Sequence, residues 1–341
     1  MSETKVLSLR QAVRKRPGMY VGDEGPARLQ HLIDELVSNA IDQYLRGQCS
    51  RISVRAHDDG WIDVADDGPG LPFDTPGAVP GNCLATHYLT HAHDAPTADG
   101  LAPHTHVHSL NGVGIAVVNA ASRVFICRSW HEGTQWEQRF ACGEPSSPPL
   151  AVDHGGGRGT LFRFLPDADV LGVSRVDQGA LRASLWRTAH LFGGITLCCG
   201  DEVFVAPGGL ADYLHTLQDV AAAASPRWHA RPVFRWHGRY GDYAIDAAAS
   251  GFAAKAYPGR RWYSWVNGRS TPLHGSHVDG FMQALDAQGW RPQLAMLHIV
   301  AHDPRYAGPT RDRYVSGSAQ KTVECALREP LRQYCNEHIA K

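Results

Sequence analysis

Between residues 27 and 47 the apolar side chains Leu29, Leu32, Ile33, Leu36, Val37, Ala40, Ile41 and Tyr44 recur at helical spacing, which predicts one long helix with a broad buried face. Glu35, Asn39 and Asp42 stand at i, i+4 and i+7 on that helix and form one line of polar groups along it. Ahead of it, 7–16 predicts a short basic helix ending at Pro17-Gly18. After it, "RISVRA" (51–56) and "WIDVA" (61–65) alternate with period two, and Asp58-Asp59-Gly60 between them suits a hairpin turn. Pro69, Pro72, Pro76, Pro80 and the polar residues up to Ser109 then predict a long loop of the kind that serves as a lid or binding segment, bounded by a helix beginning near Gly112. Strands near 123–127, 136–142 and 160–164, a helix over 178–192 and a strand pair running to Val205 complete this half. The expected product is an antiparallel sheet with helices on one face.

From 210 onward the pattern changes. An Ala-rich stretch, "VAAAASPRWHARP", reads as the end of a helix and a connection. Strands near 243–247 and 262–266, a helix over 276–287, the strand "LAMLHIVAH", the loop "DPRYAGPTRDRYVSG" and a final helix over 318–337 follow. The chain has 341 residues, more than one core usually serves, so we expect two α+β domains, 1–209 and 210–341. With 43% hydrophobic and 20% charged residues the composition is that of an ordinary folded protein. A net charge of −1 gives no overall electrostatic case for nucleic acid, although a local basic patch can exist. The start, "MSETKVLSLRQ", lacks a basic segment followed by an apolar one, and no apolar run is long enough for a bilayer, so a cytoplasmic protein without a membrane partner is expected. Eight cysteines without a CxxC pair predict reduced thiols rather than a disulfide framework or a standard zinc site.

Three short elements carry chemistry. The first is the polar line on the long helix. The second is "ADDGPGLP" (65–72), where paired acids after a strand precede two glycines that let backbone approach a ligand while a carboxylate accepts a hydrogen bond. The third is "NGVGIAVVNA" (111–120), where glycines open a helix whose free N–H groups suit a phosphate. None is a P-loop, and Gly112-Val113-Gly114 lacks the third glycine of a dinucleotide fingerprint. Singly, each is equally a turn, a packing glycine or a surface carboxylate; their joint order is what points to a nucleotide.

That order, "ELVSNAID", "DDGPG", "NGVG" and "GRGT" (157–160), resembles the four nucleotide-binding motifs of the GHKL ATPases. "RKRPGMYVGD", "LNGVGIAVVNAAS", "GSHVDGF" and "DPRYAGPTRDRYVSG" narrow the resemblance to the ATPase and transducer domains of the B subunits of DNA gyrase and topoisomerase IV, over nearly the whole chain. It implies a GHKL (Bergerat) domain followed by a ribosomal S5 domain 2-like transducer domain, with ATP and Mg²⁺ as ligands. It also implies Glu35 as general base, Asn39 as Mg²⁺ ligand, Asp66 as acceptor of the adenine amino group with Thr160 assisting, and Asp42 at the pocket. Gly68, Gly70, Leu71, Pro72, Gly112, Val113 and Gly114 would shape the pocket wall and phosphate lid, and Arg311 would reach the γ-phosphate from the second domain. The implied partners are a second copy of the chain in an ATP-dependent dimer, a gyrase A-like subunit and DNA. No segment resembles the DNA-cleaving part of those proteins.

The sequence departs from the family at several places. Gln43 and Pro69 stand where an acid and an arginine normally pair, Glu137 where bacterial gyrases place an arginine, and Pro309-Thr310-Arg311 where Gln-Thr-Lys is usual. No lysine or arginine occurs from Gly81 to Leu110, so slow turnover is expected. His87, His91, His93, His104, His106 and His108 crowd that stretch with HxH spacings that could supply metal ligands, or simply form a polar loop. Three readings stay open at this point: an ATP-hydrolysing gyrase B-like module, a degenerate nucleotide-binding regulator or inhibitor decoy, and a histidine-rich metal- or partner-binding protein on the same fold.

Overall fold

The computed structural model describes residues 7–22, 25–77, 82–91, 113–224, 232–251, 261–302, 304–308 and 310–339. The chain divides into two compact units, Met1–Trp186 with Ile195–Phe204, and Arg187–Gly194 with Val205–Lys341.

The first unit runs α1 (Leu9–Lys15), α2 (Gly18–Val21), α3 (Ala27–Leu45), β1 (Arg51–Ala56), β2 (Ile62–Asp66), α4 (Leu84–Thr90), α5 (Gly114–Ala120), β3 (Ser122–His131), β4 (Thr134–Ala141), β5 (Glu144–Pro145), β6 (Leu150–His154), β7 (Thr160–Pro166), α6 (Ala168–Leu171), α7 (Gln178–Leu191), β8 (Thr196–Cys199) and β9 (Glu202–Val205). Its strands form one sheet in the order β5-β4-β3-β7-β2-β1-β8-β9, with β6 paired to β4. The expected antiparallel sheet is corrected in one respect, because β1 and β8 pair in parallel, Ile52 opposite Leu197, which makes the sheet mixed. The stretch expected to be all loop contains α4, which starts where Cys83 Sγ accepts from Thr86 N and is held by Ala85 N–H to Pro72 O, 3.2 Å. The core contains Leu29, Leu32, Ile33, Leu36 and Ile41 of α3 and Ile52, Val54, Phe125, Phe140 and Phe164 of the strands, all nearly inaccessible. Ser8 closes a capping box on α1 with Gln11, and Arg14 fixes that helix by donating to Ala120 O and to the buried Asp167, 2.6 Å.

The second unit contains α8 (Leu210–Ala224), β10 (Val233–Tyr240), β11 (Tyr243–Ser250), β12 (Arg261–Val266), β13 (Arg269–Ser270), α9 (Ser276–Asp286), β14 (Leu294–Val300) and α10 (Gly317–His338). Its sheet runs β10-β11-β14-β12-β13. Alternation in β11 sorts the two faces: Ile245, Ala247 and Ala249 join Phe281, Leu285, Val323 and Leu327 of α9 and α10 in one core, whereas Asp246 and Ser250 bind α8 through Leu210 N–H and Gln218 Nε2. No disulfide forms among the described residues; Cys49, Cys127, Cys198 and Cys335 are buried thiols. No helix among them is long and apolar enough to cross a membrane.

Candidate functional site

The expected polar line exists and gains a member. His31 Nε2 lies 3.4 Å from Glu35 Oε1, one turn earlier on α3. The other carboxylate oxygen, Oε2, is buried and accepts no hydrogen bond among the described residues. It faces the start of α5, where a Cβ on Gly114 would sit 2.2 Å from it, so only glycine lets that helix begin against the carboxylate. Val113 is the N-cap of α5 and its side chain makes no capping hydrogen bond, so among the described residues no side chain caps the first N–H groups. Asn39 Nδ2 donates to Glu35 O at 3.0 Å, which leaves Oδ1 as the atom able to meet a cation. Asp42, further along, is buried. Gly112 lies outside the described residues.

The adjacent acids after β2 take opposite characters. The register Asp66↔Thr160 carries Asp66 into the sheet's interior edge. Burial pushes its carboxyl up to about 6, and the neighbouring Asp67 charge adds to this, against a hydrogen bond from Gly68 N–H to Oδ1 at 2.8 Å. Burial also acts on Asp67, but there hydrogen bonds from Ser50 Oγ (2.5 Å), Ser50 N (2.7 Å) and Arg51 N (2.9 Å) win and hold the carboxyl well below the usual range. Asp67 therefore fastens the entry of β1 to the exit of β2, and Asp66 is left as a largely desolvated acceptor that the Gly68 and Thr160 amides reach.

The wall that follows is built from main chain. Gly70 adopts φ +83°, and a Cβ there would fall 1.8 Å from Trp130 O. Leu71 N–H donates to Ser129 Oγ (2.7 Å), which lies 3.0 Å from Thr160 Oγ1, so β3, β7 and the loop share one hydroxyl pair. Pro72 O accepts from α4. Arg158, between the glycines of "GRGT", donates to Asp67 O (2.6 Å) and to Gln48 O and so ties the loop to the end of α3. Gln43, whose buried Oε1 has no partner among the described residues, packs beside Gly68, and Pro69 is exposed. Glu137 is cross-strand to Arg128 and paired with it and with Arg139 Nε (2.7 Å); burial opposes, but these arginines lower its carboxyl.

Within the first unit Glu35 and Asn39 meet the start of α5 at Val113 and Gly114, Asp66 is joined to Gly68 and faces Thr160 in the sheet, Gly70 and Leu71 pack on β3, Pro72 holds α4, and Asp42 lies buried further along α3. Arg311 belongs to the second unit, near the tip of a tight loop closed by Ala307 N–H to Arg313 O (2.9 Å) and Val315 N–H to Arg305 O (2.8 Å). Its φ is +61°, unusual for a residue with a side chain. The sequence pattern does not single out His31 or Arg158. The one signal for His31 is its i, i+4 spacing from Glu35. Among the described residues no three His, Cys, Asp or Glu side chains converge as a metal cluster; His93, His104, His106 and His108 lie outside those residues.

The Glu35 carboxylate thus lies against a glycine-opened helix start, and Asp66 stands at the end of β2. Residues 24–170 match the family described as histidine kinase-, DNA gyrase B- and HSP90-like ATPases. Along its length the chain is gyrase B-like. It is 33% identical to the B subunit of DNA gyrase from Myxococcus xanthus over 96% of this chain and 43% of that protein. It is 29% identical to the B subunit of DNA topoisomerase 4 from Caulobacter vibrioides over 97% of this chain and 52% of that one, so it spans about half the length of these curated relatives. The 43K ATPase domain of Thermus thermophilus gyrase B, solved with an aminocoumarin, superposes with a TM-score of 0.77 at 25% identity, covering 98% of this chain and 92% of that one.

Proposed function

We propose that the chain binds ATP in the first unit and hydrolyses it with Glu35 as general base, residues 1–209 serving as the nucleotide-binding domain and 210–341 as its transducer. The observation that carries this reading is the Glu35 carboxylate, held by α3 with one oxygen buried and unpartnered among the described residues, against the open start of α5. A carboxylate so placed accepts the proton of a water attacking a γ-phosphate brought to those N–H groups. His31, beside Oε1, orients the carboxylate. Asp66 accepts from the adenine amino group, with Thr160 assisting; guanine carries a carbonyl at that place and would oppose the carboxylate. Asn39 Oδ1 fits a Mg²⁺ ion, which supplies charge neutralisation for the phosphates. Arg311 brings a guanidinium from the second unit to the γ-phosphate, with ATP-dependent pairing of two copies as the mechanical output.

Turnover is slow in this reading, since Pro309 offers no side-chain donor where a glutamine is usual. A gyrase A-like subunit and DNA are the proposed partners of the larger assembly. Phosphate release by the pure chain with Mg²⁺ and either ATP or GTP tests the proposal: ATP is consumed and GTP is not. Equal rates with both, or none with either, would remove it.

A further inference from the structure

Alternation along β2, β3 and β7 sends one set of side chains away from the buried Val64, Phe125 and Phe162, and so away from Asp66, Ser129 and Thr160, which share their parity. On that opposite face Ile126 stands across from Arg163 and Arg128 across from Leu161. The two arginines therefore occupy one diagonal of a four-residue square, and the two aliphatic side chains the other. With Trp61 they line a pocket of about 310 Å³. We propose that this pocket, on the other face of the sheet from the proposed nucleotide site, binds a small aromatic monocarboxylate, with its acid group between Arg128 and Arg163 and its ring over Ile126 and Leu161.

Both guanidiniums are anchored yet keep donors to spare. Arg128 donates through Nε to Glu137 Oε2, and its terminal NH₂ groups make no hydrogen bond among the described residues. Arg163 makes none at all among them. Its Nε lies 3.6 Å from Asp63 Oδ1, an ion pair beyond hydrogen-bond length, and that buried oxygen accordingly has no donor. Asp63 Oδ2 is committed to His57 Nε2 at 2.9 Å. What steadies Arg163 is the Trp61 ring, whose centre is 5.3 Å from the guanidinium carbon. Both arginine side chains are half-exposed, so a solute reaches them.

Charge and shape select the class of ligand. Around the pocket three arginines, Arg128, Arg139 and Arg163, face two carboxylates, Glu137 and Asp63, which leaves a surplus of one positive charge. Arg55, further out, is paired with Asp201 at 2.6 Å. One surplus charge matches a carboxylate rather than a dianionic phosphate. Diagonal neighbours on a sheet stand about 7–8 Å apart, so one carboxylate accepts from both forks at charge-assisted lengths of about 2.7–2.9 Å. The floor of Ile126 and Leu161 offers apolar surface and no hydrogen-bonding side chain, which suits a ring and not a hydroxylated solute. The volume is at the lower end of the range for ligand pockets, about 300–1,000 Å³, and admits one or two fused rings.

The test is calorimetric titration of the pure chain with 2-naphthoate, and with the uncharged 2-naphthamide, in wild type, Arg128→Met, Arg163→Met and Arg182→Met. Methionine keeps an apolar stem and removes the charge. Arg182 is the control, since it likewise lies over an aromatic ring, Phe204 at 5.5 Å, and pairs with an acid, Glu202 at 2.7 Å, but lines no part of this pocket. We expect wild type to bind naphthoate with a dissociation constant of about 1 mM or tighter, the range open to a ligand of this size. Arg128→Met and Arg163→Met each weaken it about tenfold or more, Arg182→Met leaves it unchanged, and naphthamide binds at least about tenfold more weakly. A saturating non-hydrolysable ATP analogue leaves naphthoate affinity as it was. No saturable binding to wild type, wild-type affinity in Arg163→Met with circular dichroism unchanged, equal affinity for naphthamide, or displacement by the ATP analogue would each overturn the proposal.

Discussion

Lowering the pH from 8 to 5 is expected to weaken binding of the adenine group through one carboxyl, that of Asp66. Burial raises its pKa to about 6 against hydrogen bonds from the Gly68 and Thr160 amides, the former to Oδ1 at 2.8 Å, so a proton taken up by the carboxyl turns an acceptor into a donor facing another donor. If only the ionised form binds, the apparent dissociation constant scales as one plus the ratio of protonated to ionised carboxyl. That factor is about 1 at pH 8, about 2 at pH 6 and about 11 at pH 5. By the same linkage, binding at pH 6 releases roughly half a proton and binding at pH 8 almost none. Adenosine is the ligand of choice, because nucleotide phosphates titrate in this range and adenosine has none. Calorimetry in two buffers of different ionisation enthalpy reads the proton release directly. Asp66→Asn is expected to lose the pH dependence and to bind about 1–3 kcal/mol more weakly. Adenosine affinity that is flat from pH 5 to pH 8, or an identical slope in Asp66→Asn, would refute the reasoning.

Two further outcomes follow from the proposed division of labour. Arg311→Ala is expected to abolish hydrolysis and ATP-dependent dimer closure while changing ADP affinity little, since ADP has no γ-phosphate to lose; equal weakening of ADP and a non-hydrolysable ATP analogue would make Arg311 a structural residue. The pure chain is expected neither to cleave nor to relax a supercoiled plasmid, and relaxation seen on a gel would contradict this.

Much of the site was legible because it sits on strongly periodic segments. The apolar spacing of α3 placed Glu35 and Asn39 on one side of a single helix, and β1 and β2 alternate cleanly around Asp58-Asp59-Gly60. What stayed hidden depends on contacts distant in sequence. α4 is seven residues in a proline-rich stretch, started by a cysteine sulfur and held by main-chain bonds to Pro72 and Thr75, none of which leaves a periodic signature. β6 is exposed along its length, so it has no alternation to read. The parallel pairing of β1 with β8 joins segments 145 residues apart (Ile52 and Leu197), which local pattern cannot specify. The different fates of Asp66 and Asp67 follow from strand register and from the amides of Ser50 and Arg51, whereas the sequence shows only two adjacent acids.

The central claim is that Glu35 is the base of an ATP hydrolysis performed in the first unit. Glu35→Gln keeps the side chain's shape beside Gly114 and removes its capacity to take a proton, so the decisive measurement is steady-state phosphate release by this variant together with its affinity for a non-hydrolysable ATP analogue. The account predicts that hydrolysis falls by roughly 10² or more while the analogue binds as tightly as to wild type. Turnover equal to wild type would contradict it and exclude Glu35 from the chemistry.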